Sequence, residues 1–312
     1  ACGGYRIDVP NFRTDALDEL IVELNALRDN RFAIAEHLIA TKPWDFFMMV
    51  EIGLDRLHHA LWRFADPAHP GHVSGHKYGA AFRDYYENLD AAIGRLIARV
   101  PTDTGILVVS DHGAKPIYGA VRINQWLIDE GYLALKSAAT EPHALEWDEI
   151  DWPRTQAFSS GGYYARIFLN VKGREPEGIV SASEVYALKK ELTERLRAMP
   201  LPRTEVSNVV LDPAETYAEL NGVAPDLLVY FGDLHYRGVG TVGTESVFAD
   251  GNDTGPDEAN HAREGIYVFA DPSSNAPGSH PASIYDVAPT ILDWFTLPAS
   301  TWMHGESFLR RV

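Results

Sequence analysis

Three short segments of the chain combine carboxylate and imidazole side chains beside predicted strands. Their chemistry-bearing residues are Asp55 with His59, Asp111 with His112, and His261. Residues i and i+4 of a helix lie on one face, so Asp55 and His59 could share a metal ion. Such a pair is also common on solvated helix surfaces, and it is the conjunction of three segments that favours a metal site.

Buried strands and a long helix are predicted to position these segments. Residues 45–52 and 105–110 are nearly continuous apolar runs, and residues 78–100 carry an apolar stripe at helical spacing. Strand, helix and strand in this order are typical of a right-handed βαβ crossover in a parallel sheet. Active-site groups of such sheets lie at the carboxyl ends of the strands, where Asp111 and His112 fall.

The rest of the chain divides into an insert and a return to the core. We predict one or two amphipathic helices over residues 14–41 and a final helix over 284–295. Strands are predicted at 155–158, 164–171, 205–211, 226–231 and 265–270, with a helix at 181–199. The predicted domains are a core with metal motifs (1–134), an α+β insert (135–222) and a return to the core (223–312). The glycine-rich residues 232–255 are too many for a simple connection, which indicates function or mobility.

The composition argues against some partners. The chain has 27 Lys and Arg against 44 Asp and Glu, a formal charge of -17. Proteins that bind nucleic-acid polymers or anionic membranes carry an excess of basic residues, so neither partner is expected for this chain. No run approaches the roughly 18 to 20 apolar residues of a membrane span. The single cysteine, Cys2, excludes internal disulfides and favours a cytoplasmic location.

Four sequence elements together resemble the alkaline phosphatase superfamily, and most closely its type I phosphodiesterase and nucleotide pyrophosphatase-like group. They are VVSDHG, IGLDRLHH, the NH before a late strand, and SIYDVAPTILDWF followed by MHGESF. The resemblance spans essentially the whole chain. It implies an α/β three-layer sandwich with a mostly parallel central sheet and an α+β insert. It also implies hydrolysis of a small-molecule phosphate monoester or diester.

The resemblance further implies two divalent metal ions. Matched motif by motif, Asp55, His59 and His261 would hold one ion, and Asp111 with His112 would help to hold the other. Nitrogen and oxygen donors without thiolate suit zinc and also admit manganese.

Lys115 and three loop residues have both a functional and a structural interpretation. Lys115 could contact a substrate phosphate or be a solvated loop lysine. Asn252, Asp253 and Asp257 could orient His261 through hydrogen bonds or simply form turns.

The catalytic nucleophile is not assigned. Members of the resembled family carry an upstream strand ending in a metal-binding Asp, followed by a Thr or Ser nucleophile, and residues 1–42 match neither. We therefore expect the chain to be the carboxyl-terminal part of a longer protein. Two alternatives follow, namely a phosphomutase of the same superfamily and a non-catalytic metal-binding fragment without a nucleophile.

Overall fold

The computed structural model describes residues 4–273 and 278–311, so Cys2 lies outside the described residues. The chain divides into two compact units. The first is Ala1–Ile97 with Ala114–His261, and the second is Ala98–Gly113 with Ala262–Val312. Within the described residues, no helix combines the length and the apolar character needed to cross a lipid bilayer. The cytoplasmic location stays a prediction.

The described residues contain both helices and short strands. The α-helices are α1 (Leu17–Thr41), α2 (Gly53–Ala65), α3 (Lys77–Ile97), α4 (Ile123–Asp129), α5 (Val185–Ala198), α6 (Pro213–Thr216) and α7 (Val287–Trp294). The strands are β1 (Ile106–Val109), β2 (Gly113–Pro116), β3 (Gly119–Arg122), β4 (His143–Ala144), β5 (Ala157–Ser160), β6 (Ala165–Leu169), β7 (Val209–Leu211), β8 (Leu227–Tyr230), β9 (Tyr236–Val239), β10 (Thr241–Val242), β11 (Phe248–Ala249), β12 (Ala259–Ala262) and β13 (Tyr267–Ala270). This mixture is consistent with the expected α/β class.

The first three helices pack around one apolar core in the first unit. Leu20, Leu24 and Leu27 recur at helical spacing along α1 and are buried. They meet Leu57 and Leu61 of α2, and further apolar side chains of α3 close the same cluster. The helix predicted over 78–100 is thus confirmed as α3. The pattern over 14–41 forms one helix.

The predicted inner strand at residues 45–52 is wrong, because these residues form a segment that belongs to neither a helix nor a strand. Phe46, Met48 and Val50 are 53%, 72% and 54% exposed. The guanidinium of Arg31, which is buried in α1, donates to the carbonyls of Ile7 and Val50 and so holds the end of this segment. An apolar run is compatible with a buried strand, but it forms one only where a neighbouring strand pairs with it through backbone hydrogen bonds.

An antiparallel sheet forms the second core of the first unit. Its strand order is β5-β6-β8-β7, with β6 and β7 both antiparallel to β8. Leu192 and Leu196 of α5 are buried with Ile167 and Val229 of this sheet. Residues 135–222 contain both strands and helices, and the division of the chain into core, insert and return stays a prediction. However, β8, which the sequence assigned to the returning core, is a central strand of this sheet.

The glycine-rich residues 232–255 contain the three short strands β9, β10 and β11. Here β9 pairs in parallel with β3, and β11 pairs antiparallel with the other edge of β3. Asp233 and Leu234 precede β9 with φ of 50° and 75°, a left-handed turn that delivers the chain into the strand. Nearby, β12 pairs with β2.

The second unit contains an antiparallel pair of strands. Ile106 of β1 lies opposite Ala270 of β13, and Val109 lies opposite Tyr267. The parallel βαβ crossover predicted through 105–110 is therefore wrong. The strand pairs of the described residues are mixed, since β3 and β9 are parallel and the pair of β1 and β13 is antiparallel. The three-layer sandwich with a mostly parallel sheet stays a prediction. An apolar run in the sequence locates β1, but whether it runs parallel or antiparallel depends on its partner β13, which is more than 150 residues away. The final helix predicted at 284–295 is found as a 3₁₀ turn, Ile284–Asp286, continuing into α7.

A substitution at Gly53, the first residue of α2, tests the packing around the start of this helix. A Cβ at this position would lie 2.2 Å from the Tyr85 hydroxyl and 2.6 Å from Glu51 Oε1. Because these two groups are hydrogen-bonded to each other at 2.7 Å, we expect Gly53→Ala to lower the free energy of unfolding by about 1–3 kcal/mol. Urea denaturation measures it.

Gly94→Ala in α3 is the matched control. A Cβ there meets nothing within 4 Å, so alanine should stabilise the helix by about 0.5–1 kcal/mol. Equal effects of the two substitutions would contradict this account of the packing.

Candidate metal centre

Two elements of the first unit bring three metal-type side chains together. Asp55 and His59 lie one turn apart near the start of α2, as their spacing predicts, and His261 lies on β12. Their donor atoms all lie within 4.8 Å of one another. The helical pair was visible in the sequence. Its meeting with a histidine about 200 residues away depends on the tertiary fold.

The spacing of the donors fits a divalent ion. Asp55 Oδ1 is 3.6 Å from His59 Nε2 and 3.7 Å from His261 Nε2. In a tetrahedral site with bonds of about 2.0–2.1 Å, neighbouring donors are about 3.3 Å apart, so small side-chain shifts would suffice. One carboxylate and two imidazoles, leaving a position open, are the donor set of a catalytic zinc site.

Asp257 holds His59 from the side opposite Asp55. Its Oδ1 is 2.7 Å from His59 Nδ1, and neither side chain is more than 2% exposed. Asp257, which together with Asn252 and Asp253 is expected from the sequence to orient His261, has its hydrogen bond with His59 instead. His261 is supported instead by its neighbour Asn260, whose Oδ1 accepts from the His261 backbone N–H at 2.8 Å.

The protonation of this cluster follows from burial opposed by hydrogen bonds. Burial alone lowers the pKa of His59, but Asp257 and Asp55 outweigh it and raise this pKa to about 9. Burial alone raises the pKa of Asp55, but His59 lowers it to about 2. Without metal at neutral pH, His59 is therefore a cation between two carboxylates. A metal ion must displace its Nε2 proton.

Arg13, Arg237 and Tyr163 surround Asp257, and none of them is among the site residues expected from the sequence. Arg13 Nε donates to Asp257 Oδ2 at 2.9 Å, and the buried Arg237 donates to the same oxygen. The Tyr163 ring lies 4.6 Å from the His261 ring and 4.5 Å from the Arg237 guanidinium carbon. Arg237 lies in the glycine-rich stretch for which no strand is predicted, and Arg13 lies in the N-terminal segment before α1, so neither carried a sequence signal.

Asp111 and His112 belong to the second unit and follow β1, where the sequence placed them. Asp111 Oδ2 lies 3.6 Å from His112 Nε2, and the Asp111 side chain is 83% exposed. His112 Nδ1 donates to the Gly113 carbonyl at 2.9 Å, which holds the orientation of the ring. The pair thus offers one oxygen and one nitrogen donor. Its role as a metal ligand stays a prediction.

Lys115 is engaged within the first unit. Its ammonium donates to the Asp233 carbonyl at 2.5 Å and to the Asp233 carboxylate at 3.1 Å. These bonds tie β2 to the left-handed turn before β9. The structure therefore gives Lys115 a structural partner, and its contact with a substrate phosphate stays a prediction.

A family model of type I phosphodiesterases and nucleotide pyrophosphatases matches residues 5–257. The chain therefore belongs to this family, which is part of the alkaline phosphatase superfamily, and the resemblance seen in the sequence is confirmed. The match includes Asp55, His59, Asp111, His112 and Asp257 and ends four residues before His261. Comparisons with curated proteins and with solved structures gave no significant match.

Removal of one donor tests the triad. We expect Asp55→Ala and His261→Ala each to lose one equivalent of bound zinc, measured by elemental analysis after dialysis, because two donors hold the ion poorly. His58→Ala is the control, since His58 Nε2 contacts the Tyr86 hydroxyl at 2.5 Å and its ring stacks on Phe82. Unchanged stoichiometry in both triad variants would refute the assignment.

The pH dependence of stability tests the protonation of His59. A pKa raised from 6.5 to about 9 stabilises the folded protein fully below pH 6.5, and this stabilisation disappears as the pH rises through 9. Its size is on the order of 3 kcal/mol. Chelator-treated protein should therefore lose thermal stability between pH 6.5 and 9, and His59→Gln should lack this component. A flat profile in the unmodified protein would contradict it.

Proposed function

We propose that this protein is a metal-dependent hydrolase of small phosphate esters, with phosphate monoesters or diesters as substrates. Family membership supports the reaction class. The observation that carries the proposal is the convergence of Asp55, His59 and His261 within metal-binding distance. A small ester also fits the formal charge of -17, which disfavours a nucleic-acid polymer as substrate.

We further propose that two ions bind, preferably zinc and alternatively manganese. Asp55, His59 and His261 would hold one, and Asp111 with His112 would contribute to the other. When bound, a pair of divalent ions stabilises the attacking and leaving oxygens of an in-line phosphoryl transfer. The family implies an alkaline phosphatase-like fold for the framework that carries these residues.

The residues around the triad support such a site through charge and shape. Arg56 is the salt-bridge partner of both Asp8 and Asp55, at 2.7 and 2.9 Å, which holds the Asp55 carboxylate ionised and in place. The Tyr163 ring covers both histidines at centroid distances of 5.6 and 4.6 Å. The donors are thereby oriented before an ion arrives, which reduces the ordering that binding requires.

Hydrolysis of model substrates tests the function. With zinc or manganese, the protein should hydrolyse bis(p-nitrophenyl) phosphate and p-nitrophenyl phosphate, and a chelator should abolish turnover. His261→Gln should reduce kcat/KM at least about 100-fold, because it removes an ion that stabilises transition-state charge. His58→Ala should remain within about threefold of the unmodified protein.

Metal binding without turnover on either substrate would contradict hydrolysis and favour the non-catalytic alternative. Turnover that survives the chelator would contradict the metal-dependent mechanism.

A further inference from the structure

The two nitrogens of His59 face different partners. Nδ1 is 2.7 Å from Asp257, and Nε2 points toward Asp55 at 3.6 Å. A neutral imidazole binds a metal only through the nitrogen that lacks a proton, and the hydrogen bond at the other nitrogen selects which one that is. A carboxylate at Nδ1 can only accept, so it keeps the proton there and leaves Nε2 for an ion.

The two oxygens of Asp257 have separate partners. Oδ1 faces His59, while Oδ2 accepts from Arg13 and from Arg237. The Asp257 side chain is 0% exposed, and a buried carboxylate is tolerated only when it is paired. The two arginines thus allow an ionised carboxylate beside His59 and fix which oxygen is available to it.

The main chain reinforces this arrangement at the same position. The backbone N–H of Glu258 donates to the carbonyl of His59 at 2.7 Å. Consecutive residues of the segment before β12 therefore hold the side chain and the backbone of His59, although 198 positions separate His59 from Asp257. This segment also leads into His261, so one stretch of chain positions two of the three donors.

We propose that Asp257 is a positioning residue that selects the metal-binding tautomer of His59, and that Arg13 and Arg237 orient its carboxylate for this role. The inference rests on the proposed metal centre. It adds a specific assignment: the ability of His59 to bind through Nε2 is set by a carboxylate that itself touches no ion.

The decisive comparison is between Asp257→Asn and Asp257→Ala. In Asp257→Asn the arginines attract the amide oxygen, so the amide NH₂ turns toward His59 Nδ1 and favours the wrong tautomer. In Asp257→Ala the nitrogen loses its partner but gains no opposing donor. Tautomer selection therefore predicts that the conservative amide is at least as harmful as alanine, whereas a packing role predicts that it is milder.

The measurement is the zinc dissociation constant, obtained by competition with a chromophoric chelator, with the fold checked by circular dichroism. Both variants should bind zinc roughly 10- to 100-fold more weakly than the unmodified protein, with Asp257→Asn the weaker or equal. In ¹⁵N NMR of the zinc-loaded unmodified protein, His59 should show a protonated Nδ1 and a coordinated Nε2. In Asp257→Ala a second form coordinated through Nδ1 should appear.

Asp226→Asn is the matched control. Asp226 is also a buried carboxylate paired with an arginine, at 2.6 Å from Arg174, but it lies in the four-stranded sheet region and contacts none of the three donors. The substitution Asp226→Asn should lower the thermal stability of the protein without changing its zinc affinity.

A folded Asp257→Asn that binds zinc within threefold of the unmodified protein would overturn the inference. So would an Asp257→Ala much weaker than Asp257→Asn. Turnover is not part of the readout, so a protein that binds zinc but hydrolyses nothing would fail the proposed function while these affinities still decide the role of Asp257.

Discussion

The buried hydrogen bond between His59 and Asp257 is the interaction on which the candidate site depends. It joins α2 to the segment before β12 and orients the imidazole toward Asp55. The adjacent backbone bond from Glu258 to the His59 carbonyl acts at the same point. Because both bonds are shielded from water, breaking either leaves a buried polar group without a partner. The two bonds therefore fix the position of α2 relative to the segment before β12.

Charge compensation explains how a strongly acidic chain maintains this site. Asp55 and Asp257 are close enough that both contact His59, and two ionised carboxylates would repel each other without nearby cations. Arg56 pairs with Asp55, while Arg13 and Arg237 pair with Asp257. These cations come from the N-terminal segment, α2 and β9, so the electrostatic balance of the site requires three distant parts of the first unit to fold together.

Local patterns located most helices and many strands, but they did not give strand partners. The helical stripe over 78–100 predicted α3, and the apolar run at 105–110 predicted β1. The equally apolar residues 45–52 form no strand and are partly exposed, and β8 joins a sheet assigned to the insert. Strand pairing is decided by contacts between residues far apart in sequence, which periodicity within one segment does not contain.

The sequence by itself determined the family, the shared helical face of Asp55 and His59, and the position of Asp111-His112 after a strand. These depend on motif identity and on a spacing of four residues. Only the tertiary structure decided that His261 joins Asp55 and His59, that Asp257 holds His59, and that Lys115 is bound to Asp233. The reason is physical. A metal site requires its donor atoms to lie close together, and only the folding of the chain sets the distance between residues about 100 to 200 positions apart.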